Sequence, residues 1–216
     1  MASRPVYVPM AKAPFVDVFY PEFAWNGGFA TSQKQKNIVA LHNAFHARFS
    51  DRSILEISSK SLQSLGAKLS AFFLQKYVPA LGHSIPLECA FQGGKVFFNG
   101  GPFMDLYAAT PREAKRDPRL RDSGPLLRFT FDGKDFPLRP RTAFYNWLYI
   151  NALMENPNLA EEVLQFDAFT DIEFNPDKSL NCQAEAAALF VALHRQGLSD
   201  RCKDFGEFLL IMDKTV

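Results

Sequence analysis

From Thr142 to Met154 the chain reads TAFYNWLYINALM, with apolar or aromatic side chains on several faces rather than along one stripe. A helix that is hydrophobic nearly all round has to be enclosed by the rest of its chain. This segment therefore predicts a buried helix around which the remainder must organise. A second long helix is predicted from Gln183 to Gln196, stopped at Gly197, because glycine readily takes the left-handed conformation of a helix end. Between the two, Asn156-Pro157 opens a shorter helix through about Phe166, with proline at the first helical position. Upstream, Thr31 or Ser32 can cap a helix in which Ile38, Leu41, Phe45 and Phe49 recur at helical spacing.

Strand signals are shorter. Residues 1–30 contain several prolines and the β-prone runs Val6–Val8 and Phe15–Tyr20, ending at Asn26-Gly27-Gly28, and read as an extended arm. Ser53 to Ser58 predicts a strand. Arg128-Phe129-Thr130-Phe131 followed by Asp132-Gly133 predicts a small hairpin. The expected class is α+β and helix-dominated: a single domain from residue 54 to 216, with residues 1–53 as an N-terminal extension (arm plus helix) packed on it.

The 22 phenylalanines point to a Phe-rich core. A formal net charge of +1 without a polybasic run makes any nucleic-acid contact local and shape-based. Cys89, Cys182 and Cys202 show neither a CxxC nor a metal-type spacing, which fits a reducing cytosol. The N-terminal residues lack a continuous apolar run of signal-peptide type, and no stretch approaches the roughly 20 apolar residues of a membrane helix. A cytoplasmic protein with no membrane contact is expected.

Three segments carry possible chemistry. In SIPLECAFQGGKVFF, read as one helix at about 100° per residue, Glu88, Gln92 and Lys95 fall within roughly 60° of one another. A carboxylate, an amide and an amine would then share one stripe of an otherwise apolar helix. Each of Gly93 and Gly94 costs such a helix about 0.5–1 kcal/mol relative to alanine. The pair is better explained by close approach of a ligand or of another backbone. The plainer alternative is a solvated face with an ordinary Glu/Lys pair. In the second segment Thr110 and Glu113 form a capping box with Pro111 at the first helical position, and Arg112, Lys115 and Arg116 add positive charge suited to a phosphate. In the third, alternation from Asp167 to Asn175 would set Asp171 and Glu173 on one side of a strand, either as paired carboxylates or as an exposed acidic edge. His42 and His46 stand four apart without a third ligand, so no metal is expected, and no phosphate-loop or dinucleotide fingerprint calls for a cofactor. Cys182 could be a nucleophile only beside a histidine.

Taken in order, these elements resemble the NADAR family over roughly residues 54–197. Ile57-Ser58-Ser59-Lys60, Gly66 and Leu69-Ser70-Ala71-Phe72-Phe73 are similar to its opening strand, lysine, glycine and LSNF-like element. Glu88, Gln92 and Lys95 match its glutamate, glutamine and lysine spacing. Thr110-Pro111-Arg112-Glu113-Ala114-Lys115 is similar to its SPxEAK-like element; Trp147, Asn156-Pro157-Asn158-Leu159 and Asp171 to Glu173 follow in register. Residues 1–53, with GFATSQKQK at 28–36, resemble the extension of a branch that accompanies DarT-type toxins, which ADP-ribosylate DNA. The sequence departs from the family pattern at Ala71, where asparagine is usual, at Cys89 after the glutamate, and near Asn181-Cys182-Gln183, where no tryptophan stands.

The resemblance implies a NADAR-like catalytic domain that hydrolyses the N-glycosidic bond between ADP-ribose and guanine in DNA, an antitoxin paired with a DarT-type toxin, without cofactor or metal. Glu88 would be the general acid/base, with Lys95 or Lys60 as a possible nucleophile. Ser59 and Gln92 would contact substrate, Phe72 or Trp147 would stack on a base, Lys115 and Arg116 would face the diphosphate, and Asp171 and Glu173 would hold ribose hydroxyls. Two other readings share this pocket: a non-catalytic ADP-ribose reader or toxin-binding antitoxin, and an N-glycosidase of a small metabolite.

Overall fold

The computed structural model describes residues 1–177 and 179–213. Short strands come first: β1 (Ala2–Ser3), β2 (Val6–Pro9), β3 (Val16–Phe19) and β4 (Glu22–Phe23), followed by α1 (Thr31–His46) and β5 (Ile54–Glu56). Next come α2 (Ser64–Lys68), a hairpin of β6 (Gln75–Val78) and β7 (His83–Pro86), α3 (Leu87–Gly93) and β8 (Lys95–Phe97). The short helices α4 (Pro111–Arg116) and α5 (Arg119–Asp122) lead into the hairpin β9 (Leu126–Phe131) and β10 (Lys134–Phe136). The chain closes with α6 (Ala143–Met154), α7 (Pro157–Val163), β11 (Ala168–Thr170), α8 (Gln183–Arg195) and α9 (Phe205–Asp213).

The central sheet has the order β3-β2-β11-β5, with β11 antiparallel to β2 and parallel to β5. Side chains alternate across it with the period of two that a strand imposes. Val6, Val8, Ile54 and Ala168 face one side, where Ile38, Leu41 and Phe45 of α1 cover them. Tyr7, Leu55 and Phe169 face the other and join the larger core. On that side α8 packs on the sheet, and α6 packs on α8. The contact face of α8 is rich in buried alanine (Ala184, Ala186, Ala187, Ala188, Ala192), which lets both neighbours approach closely. As the sequence requires, α6 is buried on all sides from Ala143 to Leu153.

The fold is the α+β single domain expected from the sequence. Residues 1–53 supply two of the four strands of its central sheet and the helix that covers one face. Several local expectations change. Ala30 is the N-cap of α1 and makes no side-chain cap bond, because Thr31 is already the first helical residue. The acidic stretch after Asp167 is not a long alternating strand: β11 ends at Thr170, all three of its residues are buried, and it lies between β2 and β5. Among the described residues no helix is long and apolar enough to cross a membrane.

Candidate active site

A cavity of about 920 Å³ opens beside the C-terminal ends of β5 and β11. Every site residue expected from the sequence lines it except Trp147: Ser59, Lys60, Phe72, Glu88, Gln92, Lys95, Lys115, Arg116, Asp171 and Glu173.

Glu88 and Gln92 stand four apart on α3, so both side chains point the same way, and each is more than nine-tenths buried. The Gln92 Nε2 donates to Glu88 Oε1 at 2.9 Å. With its amide nitrogen committed to the carboxylate, the Gln92 Oε1 is left buried without a partner among the described residues. A buried acceptor left unpaired costs roughly 1–3 kcal/mol, so a ligand N–H or O–H reaching this wall of the cavity would find an open acceptor.

Lys95 does not share their helix. α3 ends at Gly93, the chain turns through Gly94, and Lys95 opens β8. The glycine pair serves the approach of protein, not of a ligand. A Cβ on Gly93 would lie 2.6 Å from the Tyr107 ring, and one on Gly94 would overlap the Thr130 carbonyl oxygen. Thr130 of β9 is in turn held to Gly94, its N–H donating to the Gly94 carbonyl at 2.7 Å. The turn nevertheless returns Lys95 to the same cavity, with Nζ 4.8 Å from the Phe91 ring centroid. Burial, reinforced by Lys115 and opposed by Glu88, pushes the Lys95 ammonium down to about 8. Gly94→Ala is expected to force β9 away, lowering stability by about 1–3 kcal/mol and displacing Lys95; a denaturation midpoint equal to that of the unaltered protein would contradict this packing.

The expected capping box starts α4, with Thr110 N donating to Glu113 Oε2 at 2.9 Å and Glu113 N to Thr110 Oγ1 at 3.3 Å. It brings Arg112, Lys115 and Arg116 to the cavity edge, with Lys115 Nζ 5.4 Å from the Phe72 ring centroid.

The cavity lining also includes Asp171, where the chain leaves β11. Its Oδ1 accepts from Glu173 N at 3.0 Å. Burial and then the neighbouring Glu56 raise its carboxyl above the usual range, since two carboxylates in a desolvated site resist joint ionisation. Burial raises Glu56 as well, although its oxygens accept from Thr170 Oγ1 at 2.6 Å and Ile172 N at 2.8 Å. Thr170 Oγ1 also lies 2.9 Å from His42 Nε2. Burial, with His46 nearby, lowers His42 to about 4, so the ring is neutral at physiological pH and belongs to this network. Among the described residues no group of three potential ligands is placed to hold a metal ion. Glu173 is half-exposed and pairs with Lys34 at 3.0 Å.

Sequence reasoning missed Gln183. Its Nε2 donates to the Ile57 carbonyl at 2.7 Å and its Oε1 accepts from Ala71 N at 2.8 Å. The Ala71 carbonyl then accepts from Glu88 N at 2.8 Å, so one side chain ties β5, the turn before β6 and the start of α3 together. Glu56 was missed too, although a lone glutamate in the apolar run Ile54-Leu55-Glu56-Ile57 is a signal. Trp147 corrects an expectation in the other direction. It lies in the core, its ring centroid 4.9 Å from Phe136 and 5.7 Å from Phe205, and contributes nothing to the cavity wall. Cys182 is a buried thiol pushed well up by burial and by Asp171, hydrogen-bonded to Tyr7 rather than to a histidine.

The layered sheet, the buried Glu88–Gln92 pair and the desolvated lysine together define an α+β domain with a polar, ligand-sized cavity. More narrowly, a family model for DarT1-associated NADAR antitoxins matches residues 2–216, and the chain belongs to that family. A search of curated proteins finds no match.

Proposed function

We propose that the protein is an ADP-ribosyl hydrolase that cleaves the N-glycosidic bond between ADP-ribose and a guanine base in DNA, and so acts as an antitoxin by erasing the mark of a DarT-type toxin. The observation that carries this reading is the convergence of Glu88 and a desolvated Lys95 on one cavity. Its volume lies in the roughly 300–1,000 Å³ range of small-molecule sites. Arg112, Lys115 and Arg116 supply the cations a diphosphate needs, and the free Gln92 carbonyl offers an acceptor beside the carboxylate.

In this mechanism the neutral Lys95 amine attacks the ribose C1. The C1–N bond breaks, its electron pair leaves with the guanine nitrogen, and the Glu88 carboxylate takes a proton from the attacking amine and passes it to that nitrogen. The C1–O bond of the sugar ring then opens, its oxygen takes the remaining amine proton, and a C1=N imine is left on Lys95. Water adds to C1, the amine departs, and free ADP-ribose and the original lysine are restored. Lys95 is preferred to Lys60 because burial lowers its affinity for a proton and Glu88 stands close enough to act on it electrostatically.

The rate of ADP-ribose release is therefore expected to rise about tenfold per pH unit up to about 8, where half of Lys95 is neutral, and to level off above it. A profile flat between pH 6 and 9 contradicts a lysine nucleophile. Borohydride added during turnover reduces the imine to a stable amine, so a protein carrying one ADP-ribosyl mass on Lys95 is expected. Full turnover with no such adduct would assign the attack to water.

A further inference from the structure

Phe29 is fully exposed, yet it stands at the mouth of the cavity. Leaving a large apolar side chain in water forgoes the burial that most phenylalanines of this chain obtain. Among the described residues no aromatic ring or cation packs on it. Its loop is held at both ends. On one side the buried Asn37 of α1 grips Asn26: Asn37 Oδ1 accepts from Asn26 N at 2.7 Å and Asn37 Nδ2 donates to the Asn26 carbonyl at 3.0 Å. On the other side α1 begins at Thr31. Between these anchors a Cβ added to Gly27 would meet nothing within 4 Å, and Gly28 has φ of +113°, a conformation that side-chain-bearing residues rarely adopt. The backbone thus lifts one aromatic ring off the surface on a short, tethered arch beside a cavity edged by Lys60, Arg112, Lys115 and Arg116.

We propose that Phe29 stacks on the nucleobase adjacent to the modified guanine when a DNA strand docks across the cavity mouth. The proposal rests on the reading that the substrate is borne on DNA. An exposed aromatic ring beside exposed cations is the arrangement with which proteins hold a single strand: the cations take the phosphates, and the ring takes any base, since every base has a π face. The contact holds the strand while the ADP-ribosyl group occupies the cavity, and it lies outside the chemistry at C1.

The test compares Phe29→Ala with the unaltered protein on two substrates, an oligonucleotide bearing one ADP-ribosylated guanine and ADP-ribosylated guanosine alone. On the oligonucleotide KM is expected to rise about tenfold with kcat little changed. On the nucleoside neither constant should move, and Phe29→Trp should restore the oligonucleotide KM. Equal losses on both substrates would place the ring on the ADP-ribosyl group and overturn the proposal, as would no loss on either. Because Phe29 packs against nothing, the variant should fold normally. Absence of turnover by the unaltered protein on both substrates is a separate result that removes the hydrolase reading, and this proposal with it.

Discussion

Glu88→Gln is expected to slow ADP-ribose release from modified guanine by about 10²–10⁴-fold, the usual contribution of a placed proton carrier. The change is nearly isosteric, and the new amide oxygen can still accept from Gln92 Nε2, which now donates to the carboxylate at 2.9 Å. Stability should therefore hold while kcat falls. Lys95→Met should cost at least as much, because it keeps the apolar stem over the Phe91 ring but removes the amine. If the two act on one step, the double variant should be about as slow as the worse single one, since groups that work as a unit are far from additive. The measurement is single-turnover kinetics at fixed pH, beside a denaturation curve for each variant. Near-normal turnover by both single variants would leave the cavity without the assigned chemistry.

Trp147→Ala is expected to lower stability by about 3–5 kcal/mol, the range for emptying a large aromatic site in a core. The indole fills the space between α6, the β9–β10 hairpin and α9, with Phe131, Phe136, Phe144 and Phe205 around it. Its buried Nε1 has no partner among the described residues. Trp147→Phe removes that unpaired donor, which offsets part of the lost volume, so it should cost much less than the alanine change. In the folded fraction of either variant, affinity for ADP-ribose should be unchanged. A Trp147→Ala protein of normal stability that has lost ligand affinity would return this residue to the site as a base-stacking platform.

The parts of the fold that were legible in the sequence are those decided locally. α6 announces itself because its apolar side chains leave no face for water. The β9–β10 hairpin follows from Asp132-Gly133, and α4 from its capping box, each a signal contained within a few residues. What escaped is decided by distant partners. Gly93 and Gly94 read as helical positions until Tyr107 and the β9 backbone at Thr130 come against them and end α3. The acids after Thr170 read either as paired carboxylates or as an exposed edge, because nothing local says that β2 and β5 flank β11. The buried roles of Glu56, His42 and Gln183 depend on pairings across more than a hundred residues. Of the residues that line the cavity, Glu88, Gln92 and Lys95 were singled out by spacing and Ser59, Lys60 and Phe72 by the family resemblance, although Lys95 reaches the cavity from a strand rather than from the helix that its spacing suggested.

One mass balance tests the central claim most directly. An oligonucleotide carrying a single ADP-ribosylated guanine is incubated with the protein, and both products are followed by mass spectrometry. The account predicts free ADP-ribose and an oligonucleotide returned to the mass of unmodified guanine, in equal amounts and over many turnovers. An oligonucleotide that binds but keeps its full modified mass would contradict it and leave a reader or a toxin-binding antitoxin in its place.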